Sequence, residues 1–366
     1  MQVTILGGGH GCYAAAVDMA ERGHFTRLWR RDQAALQALQ AIGSLTVRDY
    51  RGTRQVALGD RLQLVGDLAQ ALEGADLVVI PLPATSHQAL AAQVAPLLND
   101  GQVVFLPPGT FGTWVFAKAL RDSGNPAQVA FAETGTLPYL VRKHGADQLV
   151  ISAYATRLPT GVLPSRLSAQ AFAVLRQAYP SVEPIEDALS GALMNAGPII
   201  HPPLILMNAG PLEHFASWDI HNEGTQPSIR RVTHQLDGER MRVREALGYP
   251  APHFPLADHY HSDQGDEWMY GRGAHGKLTD SGDWRENIDL QQHRYMLEDT
   301  RLGLSLLISV GRWAGVPTPV AEGLLALASA VTGRDLYSEG RTLENLGVAG
   351  LDRAQMAALL QDGVPA

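Results

Sequence analysis

Val3-Thr-Ile-Leu-Gly7-Gly-Gly9-His-Gly11-Cys12-Tyr-Ala-Ala-Ala-Val-Asp-Met-Ala-Glu21 decides the fold of the N-terminal half. Val3–Leu6 is a short apolar run that predicts a buried strand, and Tyr13–Glu21 is rich in helix formers. Gly23 stops that helix, and Phe25-Thr-Arg-Leu-Trp29 supplies a second apolar strand. A glycine-rich turn leading from a strand into a helix and on to a strand is the context a dinucleotide-binding fingerprint requires. Gly7 permits the tight turn, and Gly9 lets the backbone approach a pyrophosphate. The N-terminus of the helix that follows offers its unpaired N–H groups and its dipole to that anion, and His10 and Gly11 are assigned to the cofactor with the rest of the turn. Cys12 stands where the fingerprint carries glycine or alanine, and its small side chain still permits close packing of helix on strand.

Working outward, the second strand runs into Arg30-Arg31-Asp32, where an NAD site would place an acid for the adenosine ribose. Two guanidiniums there suit a 2′-phosphate, so NADP(H) is the expected cofactor. The alternative, in which NAD is used, leaves Arg30 and Arg31 as a solvated pair and gives Asp32 the ribose. Further strands are predicted at Leu62–Val65, Leu77–Leu82, Val103–Leu106 and Val129–Ala132, alternating with Ala- and Leu-rich helices. The loops after such strands line the ligand crevice, which selects Pro83 to His87, Pro107 to Thr110 and Glu133 to Tyr139. Pro83 is assigned to the cofactor. His87 is read as a surface residue at a helix start, and Glu133 as a carboxylate facing the ligand and attracting the ammonium of an amine. An amphipathic helix is predicted from Ser168 to Tyr179, and the proline-punctuated stretch that carries it ends the first domain. The expected division is 1–182, a Rossmann-type α/β domain, and 183–366, an all-α substrate domain.

In the second half, Asp187–Ala196, Ser228–Leu247, Gln291–Ala314 and Val320–Val331 have helical spacing, the second with a basic, solvated face. His253 to Ile288 has no clear period and reads as a long loop. Within it, His259 and His261 lack a carboxylate or cysteine partner at ligand spacing, so no metal is expected, and Asp266-Glu267 is read as a solvated pair. Asn195 to Gly210 contains His201 among Ile199, Ile200, Leu204 and Leu206, followed by Pro202 and Pro203. A histidine in a stiff, dry segment pairs with something or loses its charge, and either outcome suits proton transfer near neutral pH. Gln292-His-Arg294-Tyr-Met-Leu-Glu298-Asp299 offers a carboxylate partner and an arginine for a substrate carboxylate. Arg294 and Glu298 stand four apart, the spacing of an intrahelical ion pair. Arg294 and Asp299 project about 140° apart on an ideal α-helix. Periodicity does not choose between the two acids.

The chain has 366 residues, 45% hydrophobic and 18% charged, with a formal charge of −8. That is the profile of a two-domain globular protein acting on small molecules, and it excludes a nucleic-acid partner. One cysteine excludes a disulfide framework and fits a reducing compartment. The first strand begins almost at Met1 with no basic leader, and no run reaches about 18 apolar residues. A cytoplasmic protein without membrane contact is expected, with room for a homodimer.

In order along the chain, Glu133-Thr-Gly-Thr-Leu-Pro-Tyr139, Asn195-Ala-Gly-Pro-Ile-Ile-His201-Pro, Asn222-Glu-Gly224, Arg294-Tyr-Met-Leu-Glu-Asp299, Gly315-Val-Pro-Thr-Pro319 and Gly340-Arg-Thr-Leu-Glu-Asn-Leu-Gly347 resemble the octopine/nopaline (opine) dehydrogenases. The resemblance implies condensation of a 2-keto acid with an amino acid or amine, followed by NAD(P)H-dependent reduction to a secondary amine. It places the family's catalytic histidine and aspartate on His201 and Asp299 and its carboxylate-binding arginine on Arg294. His10 departs from an asparagine common in the family, and Arg30 from the acid of its NAD-using members. Competing expectations are a simple NADP-dependent keto acid reductase, a glycerol-phosphate-type dehydrogenase, for which no lysine-centred site is found in the helical half, and a non-catalytic NADP(H) sensor lacking the acid/base pair.

Overall fold

A computed structural model describes residues 1–256, 269–270 and 284–365. His259, His261, Asp266 and Glu267 lie outside the described residues. The chain forms two compact units: Met1–Leu82 with Ser86–Ala192 and Ala358–Ala366, and Pro83–Thr85 with Leu193–Ala357. The first unit therefore runs past residue 182 and takes up the end of the chain.

The first unit is built on an eight-stranded sheet. Its strands are β1 (Gln2–Leu6), β2 (Phe25–Trp29), β5 (Leu62–Val65), β6 (Leu77–Val79), β7 (Val103–Leu106), β8 (Ala130–Thr134), β11 (Leu158–Leu163) and β12 (Val182–Pro184), in the order β12-β11-β8-β7-β6-β1-β2-β5. All neighbours are parallel except β8 and β11. Six adjacent strands, β8-β7-β6-β1-β2-β5, are those the apolar runs predict; the five inside the edge strand β5 are covered on both faces and need no polar alternation. A second sheet, ordered β4-β3-β10-β9, joins β3 (Ser44–Asp49), β4 (Gly52–Ala57), β9 (Tyr139–His144) and β10 (Gln148–Tyr154).

Helix α1 (His10–Glu21) packs on β1 and β2 and also on β9 and β10, so every residue from Gly11 to Ala20 is buried. That double covering explains Ala14-Ala-Ala-Val17, a run with no polar face. Asp18 accepts from Arg22 Nε at 2.9 Å and from the Tyr139 hydroxyl at 3.0 Å. The remaining helices of this unit are α2 (Gln33–Ile42), α3 (Leu68–Leu72), α4 (His87–Val94), α5 (Gly112–Asp122), α6 (Ser168–Ala178) and α7 (Ala188–Ala192). His87 is fully buried at the start of α4 and meets Phe116 edge-on, centroids 5.8 Å apart, which corrects its reading as a surface residue.

The second unit is helical: α8 (Gly197–Met207), α9 (Ala209–His214), α10 (Pro227–Ala246), α11 (Tyr295–Leu304), α12 (Ser305–Ala314) and α13 (Pro319–Thr332); α14 (Arg353–Asp362) closes the chain. The basic face of α10 is only partly solvated. Arg230, Arg231 and Arg242 are exposed, but Arg240 is buried, bound to Asp237 Oδ1 at 2.7 Å and to the carbonyls of His253 and Phe254 at 3.0 and 2.9 Å. Two prolines lie inside α8 without ending it. Their fixed φ is compatible with the helix, and their cost is the amide hydrogens withheld from the carbonyls of Pro198 and Ile199. The helix predicted over Gln291–Ala314 also differs, because α11 is wound with the i→i+5 bonds of a π-helix. Thr300 Oγ1 donates to the Tyr295 carbonyl at 2.8 Å within it. Among the described residues no helix is long and apolar enough to cross a membrane.

Candidate active site

In the first unit the cofactor residues converge on one turn. Gly7 has φ +123°, a conformation open to glycine, and a Cβ there would meet Leu82 and the Cys12 sulfur at 2.5 and 2.8 Å. A Cβ on Gly9 would meet nothing within 4 Å, so the backbone lies open where an anion would approach. Gly9 caps α1, no side chain satisfies that helix end, and its first turn holds no acid. These features fit a bound pyrophosphate. His10 opens the helix, half-buried, and Gly11 leaves the space that the Leu137 side chain fills, 2.7 Å from where a Cβ would stand. Cys12 is fully buried, and burial pushes its thiol up to about 12, which leaves it a packing residue without a reactive thiolate.

Arg30 and Arg31 separate. Arg31 is exposed, whereas Arg30 is half-buried, its guanidinium lies over Gly8 and it donates to the Tyr13 hydroxyl. Asp32 accepts from Ala35 N at 3.0 Å as the cap of α2.

Glu133 is turned onto the loop that leads into α5. It is fully buried and accepts from Phe111 N at 2.7 Å, from Thr113 N at 3.3 Å and from the Thr113 hydroxyl. Thr110 and Phe111 have φ +54° and +59°, so the carboxylate pins a left-handed turn at the head of α5. Three donors of that turn hold the carboxylate, so the geometry gives no support to the ammonium role expected for it. A Cβ on Gly109 would lie 2.1 Å from Glu133 Oε2, which shows how closely the loop is drawn onto it.

In the second unit, α8 and α11 bring His201 and Asp299 together, Nδ1 to Oδ2 at 2.8 Å. Two glycines permit this crossing. A Cβ on Gly197 would stand 2.1 Å from Asp299 Oδ1, and one on Gly303 2.1 Å from Pro198 Cγ. The His201 ring stacks on Tyr295, centroids 3.8 Å apart and planes 19° from parallel, and meets His221 edge-on at 6.0 Å. Burial pushes the Asp299 carboxyl up to about 7, opposed by the nearby Arg294 guanidinium. A dry carboxyl beside an imidazole makes a pair that takes up and returns a proton as one unit.

Glu298, the neighbouring acid, points elsewhere: its Oε1 accepts from Ala84 N at 2.8 Å, and Arg341 Nη2 donates to the Ala84 carbonyl at 2.9 Å. Burial and the charge of Asp299 push Glu298 up to about 7. Pro83, half-buried, immediately precedes this gripped peptide.

Among the described residues Arg294 forms no ion pair with Glu298, so the intrahelical pair that the four-residue spacing suggests is not made. Arg294 is exposed, with its guanidinium carbon 5.1 Å from the Tyr295 centroid. Desolvation opposes its charge, and Tyr295, Glu298 and Asp299 outweigh that and hold it firmly protonated. The π-winding also changes the angular relation drawn from ideal α-geometry, because residues five apart come onto nearly one face. Tyr295, which touches both Arg294 and His201, was missed by the sequence reading although it stands beside Arg294. Arg341 was missed as well, inside a motif recognised only as a whole.

Residues 184–332 match the NAD/NADP octopine/nopaline dehydrogenase alpha-helical domain, and residues 2–107 match the NAD-dependent glycerol-3-phosphate dehydrogenase N-terminus. An opine dehydrogenase of Arthrobacter sp. (strain 1C) is 29% identical over 365 residues, 98% of each chain. The helical part of the chain is thus similar to the octopine/nopaline dehydrogenases, and the chain as a whole is similar to an opine dehydrogenase. The similarity to opine dehydrogenases indicates an NAD(P)-dependent oxidoreductase acting on a CH–NH bond. Octopine dehydrogenase in complex with NADH and agmatine superposes over 100% of this chain and 99% of its own with a TM-score of 0.73 at 18% identity. NADP+-bound yersinopine dehydrogenase covers 99% of this chain and 98% of its own with a TM-score of 0.62 at 16% identity. The glycerol-3-phosphate dehydrogenase model ends within the first unit, and the octopine/nopaline dehydrogenase model lies in the later part of the chain.

Proposed function

We propose that this protein is an NADP(H)-dependent opine dehydrogenase that condenses a 2-keto acid with an amino acid or amine and reduces the resulting C=N bond to a secondary amine. The observation that carries the reading is the His201–Asp299 pair, with Arg294 one aromatic ring away on Tyr295. A bound reduced nicotinamide supplies the two-electron reducing equivalent. Arg294 clamps the keto acid carboxylate through its planar fork, which fixes the orientation of the adjacent carbonyl. His201 protonates the departing oxygen as water leaves on condensation, and it donates a proton to nitrogen as the C=N carbon is reduced. Asp299 holds the tautomer through Nδ1 and stabilises the imidazolium. The agmatine and NADH of the octopine dehydrogenase complex are compatible with this division into amine, keto acid and cofactor.

The choice of NADP(H) rests on this chain's own residues, since its structural neighbours hold NADH in one case and NADP+ in the other. Arg30 stands at the end of β2 where an acid would hold the ribose, and Asp32 is committed to capping α2. The expected result is a higher kcat/KM with NADPH than with NADH, narrowed or reversed by Arg30→Asp. Equal use of both cofactors by the wild type refutes the NADP(H) assignment. For the reaction itself, NADPH oxidation is followed over a matrix of short 2-keto acids and amines. Oxidation is slow with the keto acid alone and strongly accelerated by the matching amine. Arg294→Ala raises the keto acid KM far more than the NADPH KM. A rate indifferent to every amine replaces the condensation with simple keto acid reduction.

A further inference from the structure

We propose that Lys143, on β9, is the second cation of the subsite for the cofactor's 2′-phosphate, acting with Arg30 in place of the sequence neighbour Arg31. The inference rests on the NADP(H) reading above and names the group that completes it. Tyr13, in the first turn of α1, is fully buried. Arg30 donates to its hydroxyl with the guanidinium carbon 5.6 Å from the ring centroid, and Lys143 Nζ stands 4.4 Å from the same centroid. Two cations thus converge on one aromatic ring beside Gly8, at the end of β2 where a nucleotide's ribose lies in this fold.

Among the described residues no carboxylate lies within ion-pair distance of either cation. The nearest acid along the chain, Asp32, is held by its own helix. Desolvation and the charge of Arg30 both push the Lys143 ammonium down, so the two groups repel where they stand. A ring face returns about 0.5–2 kcal/mol to one cation and does not relieve the repulsion between two. A phosphate monoester carrying about −1.5 to −2 charges does, and its oxygens accept from a guanidinium fork and an ammonium together. Arg31 is exposed and shares none of these contacts. The sequence pointed to Arg31 because it is adjacent to Arg30, whereas Lys143 is brought to the site only by the packing of the second sheet on α1.

The test is calorimetric binding of 2′,5′-ADP and of 5′-AMP to the wild type and to Lys143→Met, Lys143→Arg and Arg31→Met. The wild type binds 2′,5′-ADP more tightly than 5′-AMP. Lys143→Met lowers that ratio by roughly 10- to 100-fold, the worth of one charge-assisted hydrogen bond, and leaves 5′-AMP affinity unchanged. Lys143→Arg restores most of the ratio, and Arg31→Met changes it less than about threefold. A wild type without preference for 2′,5′-ADP overturns the NADP(H) reading and Lys143 with it. A wild type with the preference, kept in Lys143→Met or lost in Arg31→Met, overturns the role of Lys143 alone. Equal weakening of both ligands in Lys143→Met assigns that residue to support of Tyr13 and likewise overturns the proposal.

Discussion

Asp299→Asn removes one charge from the buried pair and keeps its shape. The bond at stake is 2.8 Å long and has the imidazole of His201 on one side. A hydrogen bond to a charged group contributes about 1.5–3 kcal/mol, and one between neutral groups is about half as strong. The imidazolium therefore loses roughly 1–2 kcal/mol of stabilisation, which makes the protonated ring harder to keep as pH rises. The reductive direction needs the protonated ring. The expected loss in kcat is then about tenfold at pH 8 from charge alone, rising towards the 10²-fold of a lost acid/base where the amide turns and imposes the wrong tautomer. The loss shrinks as pH falls, because acid favours the protonated ring in both proteins. The assay is steady-state NADPH oxidation with saturating keto acid and amine from pH 5.5 to 9, with the NADPH dissociation constant measured separately. A loss under threefold at pH 8, or the same loss at every pH, refutes this account of Asp299.

Glu298→Gln keeps the oxygen that accepts from Ala84 N, so kcat falls less than about threefold; a crippled Glu298→Gln beside a mild Asp299→Asn would reverse the assignment. The same variant has a signature in stability. Burial pushes Glu298 up to about 7, above its ordinary 4.5, so the folded state holds this proton more tightly than the unfolded chain. Its contribution is full below about pH 4.5 and is lost as pH rises through about 7. Between pH 5 and 8 the urea midpoint of Glu298→Gln therefore falls less steeply than that of the wild type, and parallel curves contradict the shift. Gly303→Ala drives a methyl into the Pro198 ring and costs about 1–3 kcal/mol in urea unfolding, with a fall in kcat as the helix crossing opens; an unchanged midpoint removes the role given to that crossing. Glu133→Gln turns an acceptor of two amides and a hydroxyl into a group that also presents donors to them, at about 1–3 kcal/mol. Its urea midpoint drops while the amine KM holds, and a large rise in amine KM with intact stability would support the ammonium role expected from the sequence.

Much of the first unit is legible in the sequence because its central strands are covered on both faces and its glycines have one backbone use each. Gly7, Gly9 and Cys12 behave as their residue types require. The small sheet was not read, although Leu45 and Val47 alternate with polar neighbours along β3, because a half-exposed strand gives a short and weak period. The bonds of Glu133 were missed for a related reason: position at the end of a strand says that a side chain lies near the ligand face, but which donors take its oxygens depends on the path of the loop from Gly109 to Thr113. The acid/base pair shows the other boundary. His201 is marked by its apolar setting, but its partner is fixed by α11, whose π-winding no α-helical periodicity anticipates. The resemblance chose Asp299 over Glu298, and the geometry puts Asp299 on His201 and Glu298 on Ala84.

The most direct measurement of the central claim is the mass of the product formed from a 2-keto acid, a 15N-labelled amine and NADPH deuterated at the transferring position. The expected product is a secondary amine whose mass is the sum of both substrates less one oxygen, raised by the excess of one deuterium over one hydrogen, with 15N retained and the deuterium on the carbon bound to it. A deuterated 2-hydroxy acid without 15N, whatever amine is supplied, would contradict it.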